Sequence, residues 1–266
     1  MNTIDPESLM VTSPSYETTP VCPGAPETSM RYLSSQQVPQ STCSVRLGWI
    51  TSLPHPTDKP EEVLDEDRII IFWGNDYEKP QVLGGVISMT IGGQSITFAN
   101  TTGMYIPAGV PHGPLVWREF QKPHMIMSMT LGNGTLPGLS KVDTTGVIDY
   151  EKFVIRSPMR EAGAELTAGR TAPTMTYMSG VQIPGVKTYI EFGWTFGMPR
   201  SERAKGAMPV MAHKGYDEIV LHVGGDPADP EDIGGDIEFG VDSVPLNFSK
   251  TSALYVPRGV PHGPII

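Results

Sequence analysis

GMYIPAGVPHGPL at residues 103–115 returns as ALYVPRGVPHGPI at residues 253–265, an offset of 150. The register runs upstream without a gap, and 76–115 against 226–265 gives 15 identities in 40 positions. They include Pro80/Pro230, Gly84-Gly85/Gly234-Gly235, Phe98/Phe248 and Tyr105/Tyr255. A second block aligns at an offset of 145, where 30–54 matches 175–199 at 8 of 25 positions, among them Gly48-Trp49/Gly193-Trp194. The second copy therefore carries five extra residues between Pro199 and Asp226. Two long copies with one local length change indicate a duplicated domain rather than a solenoid of short repeats.

Each copy reads as strands. Pro (26) and Gly (29) make up about a fifth of the 266 residues, which works against long helices. KTYIEFGWTFG (187–197) alternates Tyr189, Glu191 and Gly193 with Ile190, Phe192 and Trp194. RIIIFW (68–73) and DEIVLHV (217–223) are short, β-branched and end at glycine. Gly/Pro/Asp clusters separate such runs at the spacing of a sandwich or barrel. The stretch 157–168 alone has helical promise. The expected organisation is an N-terminal extension (1–29), a first barrel (30–132), an interdomain segment (133–174) and a second barrel (175–266).

The charge of -10, from 19 Lys+Arg against 29 Asp+Glu, argues against a nucleic-acid partner. No stretch approaches the roughly 18–20 apolar residues of a membrane span, and the N-terminus lacks a secretory signal. Cys22 and Cys43 are too few for a disulfide framework or a thiolate zinc site, so a cytoplasmic location is expected.

PxGxxH stands at Pro107–His112 and again at Pro257–His262, each time after a strand. This resembles the second motif of the cupin superfamily, the double-stranded β-helix (jelly-roll) barrels, whose histidine there is a metal ligand. The family's first motif is HisxHis, three or four residues, Glu, six residues, Gly. The second copy reads MAHKGYDEIVLHVGG from Met211. His213, Glu218 and Gly225 match that spacing, and Met211 replaces the first histidine. The motif's opening Gly is only roughly placed, at Gly206, and its trailing Asn is absent from both copies. The resemblance covers most of 30–266 and implies an all-β bicupin with metal ligands His213, Glu218 and His262. Two imidazoles and one carboxylate would leave open positions on one divalent transition metal per chain (Fe, Mn, Ni or Zn). Met211 is expected as an apolar pocket wall.

The first copy departs from the pattern. At the 150 offset Arg68 stands for Glu218 and Val63 for His213, so His112 survives alone. The first barrel is therefore expected to be metal-free. His222 shares parity with Glu218 but lies roughly 13 Å further along at about 3.3 Å per residue. It reads as a core or pocket histidine, with a general base as the alternative. Asp217 points the other way and is expected to be solvated; His124 is expected to be structural.

The first copy continues past His112 with further strand-like sequence, whereas the second reaches Ile266 four residues after His262. The expectation is a truncated chain, or an edge filled by residues 1–29 or by a partner; a homodimer fits this. Two functions stand. One is a metal-dependent enzyme acting on a small organic molecule, with oxygenase chemistry narrowly favoured over decarboxylase, isomerase or hydrolase. The other is a non-catalytic, storage-like binding protein with a decayed metal site.

Overall fold

The computed structural model describes residues 5–56, 58, 60–132, 146, 148–161, 174–195 and 209–266. The first copy contains β1 (Met10–Val11), β2 (Ser15–Glu17), β3 (Ser29–Leu33), β4 (Ser44–Ile50), β5 (Arg68–Gly74), β6 (Val82–Ile91), β7 (Gln94–Asn100), β8 (Thr102–Ile106), β9 (His112–Phe120) and β10 (His124–Thr130). The second contains β11 (Val154–Ile155), β12 (Met159–Glu161), β13 (Thr174–Met178), β14 (Ile190–Phe192), β15 (Glu218–His222), β16 (Asp232–Val241), β17 (Val244–Lys250), β18 (Ser252–Val256) and β19 (His262–Ile265). No described helix is long and apolar enough to cross a membrane.

The first barrel sets a seven-stranded sheet, ordered β11-β8-β5-β10-β4-β3-β2, against the sheet β7-β6-β9. Its β5 is buried along nearly its whole length because both faces are covered. Ile70 and Phe72 face inward with Ile87, Ile96 and Phe98, while Ile69 and Ile71 join the core shared with the second copy. That alternation is the period of two expected of a strand.

The second barrel repeats the plan with one difference. β10 pairs with both β4 and β5 in the first copy. No described strand stands between β14 and β15, so the second copy divides into β12-β13-β14 and β1-β18-β15, facing β17-β16-β19. Every residue of β15 is part-exposed.

The pairings revise the expected boundaries at both copies' starts. β1, placed by sequence in an extension, pairs with β18 of the second copy. β11, placed in an interdomain segment, pairs with β8 of the first. Each copy thus lends its leading strand to the other. A 3-10 turn precedes each strand, Pro6–Leu9 capped by Asp5 and Tyr150–Phe153 capped by Asp149. The underlying repeat is 5–17 against 149–161, at an offset of 144 with five identities: Asp5/Asp149, Glu7/Glu151, Ser13/Ser157, Pro14/Pro158 and Glu17/Glu161. In the stretch with helical promise, 159–161 forms β12 and 162–168 lies outside the described residues, as does Gly206. A core cluster running through both copies holds the barrels together, and the Asn75 side chain donates to the Gly225 carbonyl at 2.7 Å. On this interface Phe192 stacks on Tyr177 and touches Trp73, with ring centroids 5.2 and 5.8 Å apart.

Candidate metal centre

The PxGxxH turn builds each site. Gly259 has a φ of 82° and Gly109 one of 78°, which a side chain would strain. That turn lets the Gly259 N–H donate to the His213 carbonyl at 2.7 Å. Asp217, expected to be solvated, instead accepts from the Arg258 N–H at 2.9 Å and the Arg258 Nε at 3.2 Å, and so fastens the same turn. Asp67 does the equivalent job in the first copy, accepting from the Ala108 N–H at 2.9 Å. Two backbone bonds of 2.8 Å between Met211 and His262 complete the frame.

On that frame His213, Glu218 and His262 converge. Their ligand atoms lie within 4.8 Å of one another, the only such His/Cys/Asp/Glu group among the described residues. Glu218 Oε2 is 2.8 Å from His262 Nε2 and 3.2 Å from His213 Nε2. His262 is buried; the other two are about a quarter exposed, which leaves the site open on one side. Phe239 stacks on His262 with centroids 6.4 Å apart.

Hydrogen-bond logic fixes what this cluster lacks. His262 Nδ1 lies 3.0 Å from the Val260 carbonyl, which can only accept, so Nδ1 carries the proton. In the neutral ring Nε2 then presents a lone pair, and it faces a carboxylate oxygen. Both His262 Nε2 and Glu218 Oε2 are buried without a hydrogen-bond partner. At that distance a proton or a metal ion must lie between the two atoms. Two ligand atoms held at right angles, about 2.1 Å from one ion, would be about 3 Å apart, so the observed spacing fits a metal. Tyr216 adds an outer contact that the sequence reading missed. Its Oη lies 2.8 Å from His213 Nδ1, and the rings stack at 4.7 Å. Such a partner orients a ligating imidazole and leaves Nε2 for the ion.

The first barrel meets the same demand with protein. His112 Nδ1 faces the Val110 carbonyl at 2.9 Å, so its Nε2 also presents a lone pair. Arg68 Nη1 donates to it at 2.8 Å and pairs with Glu62. The remaining guanidinium bonds go to Ser128 Oγ at 2.7 Å and the Val21 carbonyl at 2.8 Å. Burial pushes the His112 pKa down, and the Arg68 charge adds to that. Register corrects one expected correspondence. Glu62 bridges His112 as Met211 bridges His262, and the Gly109 N–H donates to Leu64 as the Gly259 N–H does to His213. Leu64, not Val63, therefore stands for His213, because the connection into β5 is one residue shorter. His124 accepts from Trp117 Nε1 at 2.9 Å and is held by packing, as a structural residue should be.

No protein-family model matches the chain, and no curated protein matches its sequence. Solved structures do match. AerE from Microcystis aeruginosa is 12% identical with a TM-score of 0.56, over 97% of this chain and 92% of that one. A Bacillus subtilis oxalate decarboxylase structure concerned with that enzyme's Mn(II) centres is 12% identical with a TM-score of 0.59, over 100% of this chain and 74% of that one. An oxalate decarboxylase structure concerned with substrate binding mode and a switch of reaction specificity is also 12% identical. Its TM-score is 0.58, over 100% of this chain and 74% of that one. At that identity the likeness concerns the fold. With the duplicated register and the paired PxGxxH turns, it gives this chain the all-β fold of the bicupins, two double-stranded β-helix barrels in one polypeptide.

Proposed function

We propose that the second barrel is the active site of a metal-dependent enzyme acting on a small, oxygen-bearing organic molecule. His213, Glu218 and His262 would hold one divalent transition metal. The observation that carries this is the facing pair His262 Nε2 and Glu218 Oε2, 2.8 Å apart and each buried with no hydrogen-bond partner. The first barrel supplies a guanidinium at the same place, so the frame there has no need of an ion.

When bound, the metal would supply Lewis acidity or an electron and open positions for substrate. The chain's own residues prepare that site. The Val260 carbonyl and Tyr216 hold the two imidazoles with Nε2 inward, and Phe239 covers one face of His262. Three protein ligands leave room for both a substrate oxygen and O2, which supports oxygenase chemistry as the first reading. Decarboxylation is the second, favoured by the likeness in fold to oxalate decarboxylase.

Calorimetric titration of the metal-stripped full chain with Mn(II) tests the site. One equivalent should bind, and Glu218→Ala should abolish binding while leaving the fold intact. Oxalate added to the Mn(II)-loaded protein then tests the second reading, since release of CO2 and formate without net O2 uptake marks a decarboxylase; O2 uptake with H2O2 release would mark an oxidase, and only 18O from 18O2 in an organic product would mark an oxygenase. Absence of metal uptake would favour the non-catalytic binding protein.

A further inference from the structure

Strand pairing fixes which interior positions correspond. Arg68 and Phe72 pair with Ile106 and Thr102; Glu218 and His222 pair with Val256 and Ser252. Most inward positions keep their apolar character between the barrels, as in Ile70/Val220 and Phe98/Phe248. Three carry a different ionisable group or gain one in the second barrel. Leu64 becomes His213, Arg68 becomes Glu218, and Phe72 becomes His222. The first two changes create the metal cluster. The third has no part in it.

His222 sits among rings, 5.0 Å from Phe248 and 6.2 Å from Phe239. Its Nδ1 is buried without a hydrogen-bond partner. Ser252, its cross-strand neighbour on the same face, is fully buried and its Oγ also lacks a partner. The first barrel leaves no such pair: Phe72 packs on Phe98 at 4.8 Å, and Thr102 Oγ1 donates to the Asn100 carbonyl at 2.8 Å. Leaving a buried polar group unpaired costs about 1–3 kcal/mol, so two adjacent ones need an explanation. Burial holds the His222 pKa down at about 4, so the ring is neutral at pH 7, able to give one hydrogen bond and take another. Phe239 stands between it and the cluster, 6.2 Å from His222 and 6.4 Å from His262. A cleft of about 440 Å³, lined by Asp236, Glu238, Asn247 and Ser249 as well as by Phe248, borders the ring that packs on His222 without touching His222 itself.

We propose that His222 and Ser252 form a distal polar subsite that binds a hydroxyl or carbonyl oxygen of the substrate, whose other end lies at His213, Glu218 and His262. The substrate class is then a small molecule with two oxygen-bearing ends separated by an apolar stretch lying along Phe239. A two-carbon acid is too short to reach both. This rests on the proposed metal site, which anchors the near end.

The test is calorimetry on the Mn(II)-loaded full chain with a graded series of ω-hydroxycarboxylates, from glycolate to 6-hydroxyhexanoate. Affinity should rise with length once the hydroxyl can reach His222. His222→Phe, which installs the residue the first barrel already accommodates, should weaken the long members about tenfold and leave glycolate and Mn(II) stoichiometry unchanged. His222→Asn, which keeps a side-chain amide near the Nδ1 position, should recover part of that loss. Equal binding of the whole series by wild type and His222→Phe, with one Mn(II) bound, would overturn the subsite alone, as would failure of every member to bind the Mn(II)-loaded wild type. Failure of the wild type to take up Mn(II) would overturn the metal site, and the subsite with it.

Discussion

Arg68 and Glu218 begin equivalent strands, face equivalent interiors and sit beside equivalent histidines, yet they give the two barrels opposite electrostatics. In the first, a guanidinium is the cation; it binds Glu62, His112, Ser128 and the Val21 carbonyl, and the site closes on itself. In the second, Glu218 adds a negative charge beside two imidazoles, and among the described residues no Lys or Arg pairs with it. Around the first site β5 is buried, whereas β15 is part-exposed throughout. One frame of turn glycine, capping aspartate and buried histidine thus supports either a sealed internal ion pair or an open ligand set. The residue at the start of one strand decides which.

The comparison is most exposed at Arg68. Arg68→Ala would leave the part-exposed Glu62 without its cation and the buried His112 Nε2 and Val21 carbonyl without their donor, a loss of about 1–3 kcal/mol. Urea denaturation should show that loss, and a change under about 1 kcal/mol would remove Arg68 from its keystone role. The next effect concerns pH. With a folded pKa of about 4 against an ordinary value near 6.5, His222 is held neutral while the unfolded chain takes up its proton. Its neutral form supports the fold above pH 6.5, and that support is lost as pH falls from 6.5 towards 4, by at most about 1.4 kcal/mol per pH unit. His222→Phe should flatten the profile over that window, and an unchanged slope would place His222 in contact with water. Tyr216→Phe should weaken metal binding by about tenfold through loss of the outer contact to His213, with stability hardly moved. The smallest expected effect is at the turns. Gly109→Ala and Gly259→Ala should each cost about 1 kcal/mol, since both glycines have positive φ and open space beside them. Metal affinity should fall only for Gly259→Ala, and an equal fall in both variants would erase the distinction between the barrels.

Much of this was legible in the sequence. The PxGxxH repeats marked the fold because a strand-to-turn register at fixed offset survives substitution of its surroundings. The spacing of His213, Glu218 and His262 brought out a cluster that the structure assembles, and strand parity put His222 on the inward face. Other features were not legible, for identifiable reasons. The exchange of β1 and β11 is a long-range pairing carried by two residues each, and five identities in thirteen at a third offset are a faint signal. A gapless offset cannot register the one-residue shortening that puts Leu64 where Val63 was expected. Asp217 faces away from the site, as parity requires, but solvation was the wrong inference, because the turn's N–H groups lie on that side. Arg68 looked only like a lost ligand, since its contacts come from β9, β10 and the segments at Val21 and Glu62. The spacing His213–Tyr216 could have suggested a stacked pair, though it carries no motif.

The most direct measurement is metal content by mass spectrometry on the full chain purified without chelator, beside His112→Ala and His262→Ala. The same histidine of the two barrels is removed in turn. One equivalent in the wild type, one in His112→Ala and none in His262→Ala is the predicted result. Two equivalents in the wild type, or loss of metal from His112→Ala with retention in His262→Ala, would contradict the assignment of guanidinium to the first barrel and metal to the second.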